Sequence, residues 1–401
     1  MGNTPKLRFE GFTDAWEQRK LGDITISYSG GTPTAGRKEF YGGDIPFIRS
    51  GEISEGHTEL FLTEVGLKNS SATMVNKGDI LYALYGATSG EVSRSQIKGA
   101  INQAILAILP HTGYDAEFLM QWLRMKKKTI IETYLQGGQG NLSGAIVKNL
   151  KVNLPIYEEQ AKIGDILAKV DSLITFHQRK CDVLTKAKAF YLQNLFPQEG
   201  EKEPRLRLEG FTDSWNPYTL GDLYTERNER GNETLQILTV SIHTGVSDGA
   251  LEEDELGKSV RRSEDKTLYK HVYAGDLIFN MMRAWQGAIG VAKREGMISP
   301  AYISAIPDER IYPPFMNYLL RRKEIISQIN NLSYGVTDFR KRLYWDSFIK
   351  VKCCLPSVDE QKIITDVFEQ LDTLITRQEH RIKVLKTLKK FMLQNMFPQE
   401  G

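Results

Sequence analysis

Apolar residues recur at alternating spacings of four and three in two long segments of the chain. The first series is Ile163, Leu167, Val170, Ile174, Leu184, Tyr191 and Leu195, with His177, Cys181 and Lys188 at its remaining positions. The second is Ile364, Phe368, Leu371, Ile375, Ile382, Leu385, Met392 and Met396, with Gln378 and Lys389 at its remaining positions. A 3.5-residue period sustained over about five heptads predicts a coiled-coil seam in each segment.

The ends of both predicted helices are marked in the sequence. Pro155 and Pro356 precede them, acidic residues occupy each first turn, and Pro197 and Pro398 end them, since proline supplies no interior helical donor. A helix of about 39 residues extends over about 58 Å. Because a complete globular domain separates the two helices, we expect them to pair antiparallel and to hold the two domains at a fixed distance. Polar seam residues such as His177 then set the register.

The chain repeats itself. Residues 5–24 recur as residues 204–223 with 12 of 20 positions identical, and residues 154–200 recur as residues 355–401 with 22 of 47 identical. A period of about 200 residues is too long for a solenoid. The sequence therefore predicts a tandem duplication of one domain and one helix.

The interiors of the two copies share mainly turn-forming and apolar residues, such as Gly78-Asp79 and Gly275-Asp276. The segments between these residues diverge almost completely: 29–69 against 226–270, 84–89 against 281–286, and 136–146 against 332–345. Short β-rich runs at 79–85 and 104–109 beside a helix near 118–128 indicate an α+β fold. A shared frame with different loops suggests two related tasks on two different targets.

We therefore predict four segments: a first globular domain at 1–155, a first helix at 156–200, a second globular domain at 201–356 and a second helix at 357–401. Composition fits this globular interpretation, with 41% apolar and 25% charged residues. Residues 1–12 contain no apolar signal region and no stretch approaches 18 apolar residues, so we expect a cytoplasmic protein with no membrane association.

Sequence signatures of catalysis are missing. There is no P-loop, the Gly137-Gly-Gln-Gly140 run lacks dinucleotide-binding spacing, and the six histidines show no metal-binding arrangement. Tyr312-Pro-Pro-Phe315 superficially resembles an amino-methyltransferase motif, and Glu360-Gln-Lys362 resembles half of a nuclease motif. We interpret the first as a turn into a helix and the second as a helical first turn, because the other copy does not preserve either.

Two duplicated motifs carry a family resemblance. P-x-L-R-F-x-G-F-x-x-x-W occupies residues 5–16 and, with Leu at the Phe position, residues 204–215. L-P-x-x-E/D-E-Q leads into each long helix at residues 154–160 and 355–361. With the duplicated order of domain and helix, the whole chain resembles the specificity subunit of a type I restriction–modification system.

The resemblance implies a function for each segment. Each divergent interior would be a target recognition domain that reads one half of a split, asymmetric double-stranded DNA site. The paired helices would set the spacer between the halves and dock two methyltransferase subunits. Those partners would bind S-adenosylmethionine and methylate adenine, and an ATP-dependent translocase and nuclease subunit would join them. The chain itself would catalyse nothing and hold no cofactor, with S-adenosylmethionine, ATP and Mg bound by the partner subunits.

Base edges are read by polar and cationic side chains, and readers of different half-sites should lie in the divergent loops. The first-domain candidates are Arg37, Lys38, Arg49, Thr88, Ser89, Gln139, Asn141 and Ser143. The second-domain candidates are Arg283, Gln286, Thr337, Asp338, Arg340, Lys341 and Arg342. The strongest cluster is residues 335–344, where three consecutive cations stand beside aromatic residues. Its alternative interpretation is a solvated basic turn.

Other basic runs favour a structural interpretation. Residues 126–128 and 321–323 fall on matching predicted helices, where we expect solvated faces, with phosphate contact as the alternative interpretation. Trp122 should belong to the core.

The charge balance bears on DNA binding. Lys+Arg outnumber Asp+Glu by 52 to 50 overall, by 13 to 11 in residues 25–153 and by 19 to 17 in residues 224–354. Since nonspecific affinity depends on the number of phosphates neutralised, we expect weak DNA binding without partners. Two other functions stay open: a coiled-coil protein–protein scaffold, and a self-contained methyltransferase or nuclease with built-in target domains.

Overall fold

A computed structural model describes residues 4–135, 141–198, 200–232, 234–242, 245–247, 268–335 and 341–398. The fold mixes α-helices and β-strands. The chain forms two compact units. Unit 1 comprises Met1–Arg179 with Glu379–Gly401, and unit 2 comprises Lys180–Gln378. Each unit therefore contains one globular domain and a segment of both long helices.

Unit 1 is built on two four-stranded sheets. Its strands are β1 (Glu17–Lys20), β2 (Thr25–Ser29), β3 (Tyr41–Ile48), β4 (Phe61–Leu62), β5 (Thr73–Val75), β6 (Ile80–Ala83), β7 (Val92–Arg94), β8 (Gly99–Ile101), β9 (Ile105–Pro110) and β10 (Lys151–Leu154). Its helices are α1 (Leu21–Ile24), α2 (Glu64–Lys68), α3 (Ala116–Tyr134), α4 (Gly144–Asn149) and the first part of α5 (Tyr157–Asn194). The sheet orders are β2-β9-β6-β7 and β4-β3-β8-β5, and β1 pairs with β10.

Unit 2 contains a sheet of the corresponding order. Its strands are β11 (Asn216–Thr219), β12 (Tyr224–Arg227), β13 (Thr239–Ser241), β14 (Gly245–Ser247), β15 (Lys270–Val272), β16 (Leu277–Asn280), β17 (Ile289–Val291), β18 (Gly296–Ile298), β19 (Tyr302–Pro307) and β20 (Lys352–Leu355). Its helices are α6 (Leu220–Leu223), α7 (Pro313–Leu319), α8 (Lys323–Leu332), α9 (Trp345–Phe348) and the first part of α10 (Val358–Met396). The four-stranded sheet runs β12-β19-β16-β17, and β11 pairs with β20.

Burial along α5 and α10 follows the spacing read from the sequence. Every position of both predicted seams is buried or half-buried, including Gln378 at 2% exposure. In unit 1, Lys389 Nζ donates to both carboxylate oxygens of Asp171 at 2.6 and 2.8 Å. In unit 2 the matching pair is Lys188 and Asp372. The lysines of the two seams are thus neutralised by the facing helix in each unit.

The end of each long helix packs into an aromatic core. In unit 1 the Phe397 ring centroid lies 5.0 Å from that of Phe118 and 6.3 Å from that of Trp16. In unit 2 Phe196 takes the same place, 5.4 Å from Phe315 and 6.1 Å from Trp215. These rings are almost fully buried, which explains why the Trp of the entry motif and the Phe-Pro ending both recur in the sequence.

The start of each long helix is clamped by an arginine of the entry motif. Arg8 donates to Glu159 through Nε and Nη2 at 2.9 and 2.6 Å, and Glu159 is fully buried. Arg207 and Glu360 repeat this bidentate pair at 3.0 and 2.9 Å. The pair confirms that Glu360 is a structural residue of a helical first turn rather than part of a nuclease site.

One sequence expectation is wrong. Residues 321–323 do not continue a helix with a solvated face, because α7 ends at Leu319 and α8 starts at Lys323. Arg322, only 9% exposed, instead stacks on Phe196 at 5.0 Å and donates to the Pro197 carbonyl at 2.9 Å. Packing against the end of α5 thus breaks the helix that stays continuous in α3. Trp122 is buried in the core, as expected.

Candidate nucleic-acid interface

In unit 1 the loop of residues 84–90, which joins β6 to β7, lies against the segment that leads into α4. The Leu142 N–H donates to the Leu84 carbonyl at 3.0 Å, and the Leu84 N–H donates to the Ala104 carbonyl at 2.8 Å. Gly90 ends the loop at a φ of +78°, a conformation that glycine adopts without strain. These bonds bring Thr88 and Ser89 to the same edge of the domain as Asn141 and Ser143.

Unit 2 builds the same frame with different residues. The Leu343 N–H donates to the Met281 carbonyl at 2.8 Å, and the Met281 N–H donates to the Ala301 carbonyl at 3.1 Å. By the sequence repeat, Met281 and Ala301 correspond to Leu84 and Ala104. Leu343 takes the place of Leu142 through its hydrogen bond to Met281. The loop of residues 281–287 therefore lies beside residues 341–343.

The side chains displayed on this frame differ in size and charge between the units. Unit 1 presents small polar groups, and Ser143 Oγ accepts the Ile146 N–H as the N-cap of α4. Unit 2 presents Arg283, Gln286 and Arg342, all exposed. Cationic and amide side chains read major-groove base edges through bidentate hydrogen bonds. The two frames are therefore equipped for different contacts.

An aromatic and cationic cluster surrounds the unit 2 loop. Lys341 Nζ lies 5.8 Å from the Trp285 ring centroid and donates to Asn330 Oδ1 at 2.6 Å. The backbone of Arg342 pairs with that of Tyr334, whose ring lies 5.0 Å from that of Tyr344. This backbone pairing fixes the position from which the Arg342 side chain extends. Sequence analysis did not single out Trp285 or Tyr334. For Trp285, the available signal was its position directly before the candidate reader Gln286.

The remaining unit 1 candidates lie in the residues around β3. Arg37 and Lys38 are exposed on a one-turn helix before β3, and Arg37 pairs with Glu39 at 3.1 Å. Arg49 follows β3 and donates to both Glu52 and Glu59, at 2.6 and 2.8 Å. Hydrogen bonds to Glu52 and Glu59 raise the pKa of the Arg49 guanidinium. Arg49 is therefore committed to these two carboxylates in this structure.

A polar pair missed by sequence analysis lies close to the unit 1 loop. Thr32 Oγ1 donates to Gln103 Oε1 at 2.6 Å, and Gln103 directly precedes Ala104, the acceptor of the Leu84 N–H. Nothing in the sequence pattern distinguishes these two residues, because their juxtaposition depends on the sheet. The candidates Gln139, Thr337, Asp338 and Arg340 lie outside the described residues.

Metal-binding clusters and membrane-spanning helices are both absent from the described part of the chain. That part of the chain contains no group of three or more His, Cys, Asp or Glu side chains placed to hold a metal ion. No described helix is long and apolar enough to cross a membrane. The fold and the two loop regions together define a protein of two units that carry different polar loops on a common frame.

Comparison with known proteins identifies the family. Residues 13–186 match the model of the type I restriction modification DNA specificity domain. The chain is 23% identical to the MjaVIII specificity subunit of Methanocaldococcus jannaschii over 94% of this chain and 91% of that protein. It is 30% identical to the HindI specificity subunit of Haemophilus influenzae over 38% of this chain and 36% of that protein. Residues 13–186 thus match the specificity domain of this family, and the chain as a whole is similar to type I specificity subunits.

The fold agrees with this family. The crystal structure of the type I restriction-modification system S subunit from M. genitalium superposes with a TM-score of 0.66 and 16% sequence identity. The match covers 99% of this chain and 100% of that one. The resemblance drawn from the two duplicated motifs is thus confirmed at the level of family and fold, and the family supports a role in DNA sequence specificity.

Proposed function

We propose that this chain reads a bipartite, asymmetric DNA target and directs methyltransferase and restriction subunits to it. Each unit would read one half-site through the edge that carries its divergent loop. In unit 1 the readers would be Thr88, Ser89, Asn141 and Ser143, and in unit 2 Arg283, Gln286, Lys341 and Arg342. The unit 1 residues Arg37 and Lys38 would contact DNA outside this edge, whereas Arg49 is held by Glu52 and Glu59.

The observation that carries this proposal is the pair of matching frames with unlike side chains. Leu142 bonded to Leu84 and Leu343 bonded to Met281 hold equivalent loops in equivalent places. Asn141 directly precedes Leu142 in unit 1, as Arg342 directly precedes Leu343 in unit 2, and Ser89 corresponds to Gln286 by the repeat. Because adenine suits an amide side chain and guanine suits arginine, two such edges would prefer different bases.

The long helices would connect recognition to assembly. We infer that the two copies arose by tandem duplication, and that α5 and α10 form one antiparallel coiled coil that sets the spacer between half-sites. Two methyltransferase subunits would dock on it, and translocase subunits would join for restriction. S-adenosylmethionine, ATP and Mg would be bound by these partners, so the chain would act without catalysing a step.

Sequencing of methylated bases tests the proposal. The complete system would be expressed in a host free of other methyltransferases, and its methylated adenines would be mapped. We expect two unlike half-sites separated by a fixed, unspecified spacer. A palindromic or uninterrupted target would contradict the proposal, and the absence of any methylation that depends on this chain would favour a scaffold without DNA recognition.

A further inference from the structure

Gln103 lies at the tip of a tight turn in unit 1, on the same edge as the divergent loop between β6 and β7. The turn joins β8 to β9: the Ile105 N–H donates to the Asn102 carbonyl at 3.3 Å, and the Ala104 N–H donates to Asn102 Oδ1 at 3.0 Å. Asparagine stabilises turns through such side-chain bonds to the backbone. The Ala104 carbonyl accepts the Leu84 N–H, so the turn and the divergent loop are joined directly.

The side chain of Thr32 fixes the orientation of the Gln103 amide. Thr32 Oγ1 donates to Gln103 Oε1 at 2.6 Å, and both residues are exposed. The amide oxygen has a second lone pair, and the amide nitrogen has two N–H donors. Gln103 Nε2 donates to no acceptor among the residues that the structure describes. The amide therefore presents one acceptor and one donor side by side to solvent, in a fixed plane.

Two glycines place Thr32 beside this turn. The chain passes directly over the end of β8, where a Cβ at Gly30 would overlap the Ile101 carbonyl. A Cβ at Gly31 would overlap Ser71 in the same way. Glycine permits such a close approach of the backbone because it has no Cβ. The position of Thr32 is thus set by backbone packing and not by flexible side chains.

Unit 2 builds the same turn without a polar side chain at its tip. The Tyr302 N–H donates to the Ser299 carbonyl at 3.0 Å, in a turn that joins β18 to β19. By the sequence repeat, Gln103 corresponds to Pro300, whose side chain neither donates nor accepts a hydrogen bond. At the tip of this turn, hydrogen-bonding side-chain atoms are therefore a property of unit 1.

The fixed amide matches the hydrogen-bonding pattern of adenine. In the major groove adenine presents the N7 acceptor beside the N6 donor, so a glutamine Nε2 donates to N7 while Oε1 accepts from N6. Guanine presents two acceptors there, and cytosine and thymine each satisfy only one of the two amide groups. A freely rotating amide could still donate to guanine through Nε2 alone. The bond from Thr32 opposes this rotation and so raises the preference for adenine.

We propose that Gln103 is a specificity-determining residue of unit 1 that reads an adenine of its half-site, and that Thr32 is a positioning residue that acts through Gln103. This inference rests on the proposed function, because it takes DNA as the ligand and the edge of the divergent loop as the reading surface. It adds the base that is read and the residue that orients its reader. A side chain oriented before binding loses less conformational freedom on binding.

Binding to base-substituted duplexes tests Gln103. Methylated-base sequencing of the complete wild-type system first gives the target. The full-length chain in complex with its methyltransferase subunit is then titrated with duplexes that carry each of the four bases at each half-site position. We expect Gln103→Ala to reduce the preference for adenine at one position of one half-site about tenfold to a hundredfold, since one bidentate contact is lost. The other half-site should keep its preferences throughout.

Gln96→Ala is the matched control. Gln96 is also an exposed glutamine of unit 1, but it follows β7 at the end of the sheet opposite the divergent loop. Its Nε2 donates to the Arg94 carbonyl at 3.0 Å. Gln96→Ala should change no base preference, and thermal unfolding of each variant checks that the fold is retained.

Substitutions of Thr32 test the positioning role. Thr32→Val keeps the shape of the side chain and removes the hydroxyl, so it should lower the adenine preference at the same position about threefold to tenfold. Thr32→Ser retains a hydroxyl and should retain the preference. In the Gln103→Ala background, Thr32→Val should have no further effect on base preference, because a positioning residue acts only through its partner.

The outcomes separate this inference from the proposed function. A bipartite target whose base preferences are unchanged in Gln103→Ala would overturn the inference and leave the proposed function intact. Relaxation at a G·C position, or equal weakening on every duplex, would also overturn it. An additional effect of Thr32→Val in the Gln103→Ala background would overturn the positioning role of Thr32. A wild-type complex that methylates no bipartite target would contradict the proposed function itself.

Discussion

At the scale of single residues, the fold contains buried carboxylates that need a charged partner. Glu159 and Glu360 are almost completely buried, and each is compensated by one bidentate arginine. A buried ion pair contributes little net stability when it is intact. Losing one partner is costly, because the remaining charge stays buried without compensation.

Arg8→Ala should therefore lower the free energy of unfolding of unit 1 by about 3–5 kcal/mol. Urea unfolding of the full-length variant, with hydrogen exchange to assign the affected unit, measures this loss. Arg19→Ala is the control, because the pair of Arg19 and Glu17 is exposed on both sides and should contribute less than about 1 kcal/mol. Equal effects of the two substitutions would contradict the buried-charge explanation.

A pH dependence follows from Glu52. Burial raises the pKa of its carboxyl, but hydrogen bonds from Arg49, Thr58 and backbone N–H groups outweigh burial and bring the pKa to about 2. An unfolded glutamate titrates near 4.3. The stabilisation is thus complete above about pH 4.3 and is lost as the pH falls through the folded-state value near 2.

The side-chain carboxyl ¹³C resonance of Glu52 should consequently stay constant from pH 6 to 5 and change between about pH 4.3 and 2. NMR titration of the wild-type chain checks this window. The variant Glu52→Gln should lack this resonance, which assigns it. A wild-type midpoint near the unfolded value would show that Arg49 is not held by Glu52 and is available to DNA.

Arg342 tests base recognition at a single position. It is exposed beside the unit 2 loop, and Arg342→Ala should alter one half-site only, at a cost of about 1–3 kcal/mol if the guanidinium contacts a base edge. Methylated-base sequencing with the variant complex provides the measurement. Uniform weakening on all sequences, with a shallower salt dependence, would instead assign Arg342 to a phosphate contact.

At the scale of elements, each long helix buries or half-buries the seam positions that its sequence period predicts. The seam could be read directly from the sequence, because burial of α5 and α10 follows its spacing at every position. The helix break between α7 and α8 could not be predicted from the sequence. It results from Arg322 packing on Phe196, a contact between residues more than a hundred positions apart.

The proposed spacer role predicts the result of lengthening both helices. Insertion of one heptad after Arg179 and another after Gln378 keeps the seam in phase and adds about 10 Å. We expect the spacer between half-sites to lengthen by about three base pairs, with both half-sites unchanged. Methylated-base sequencing would reveal the new spacer, and altered half-sites with an unchanged spacer would contradict the proposed role.

At the scale of the whole molecule, the near-neutral charge predicts that DNA recognition depends on partners. With 52 basic against 50 acidic side chains, the chain has little net attraction for a polyanion, so few phosphates should be neutralised by it alone. Gel-shift titration should show weak binding by the isolated chain and tight, target-specific binding with the methyltransferase subunit. Equal affinity with and without the methyltransferase would contradict this dependence.

The sequence by itself determined the long helices, their seams, the repeated motifs and the family, because each depends on local periodicity or on residues close together in the chain. It also indicated the divergent loops that include Ser89 and Arg342. Only the tertiary structure decided that the Leu142–Leu84 and Leu343–Met281 bonds place those loops on equivalent edges. It also showed that Arg49 is held by two carboxylates and that Arg322 is buried. The physical reason is that hydrogen bonds and burial between distant segments depend on chain packing, which has no periodic signature in the sequence.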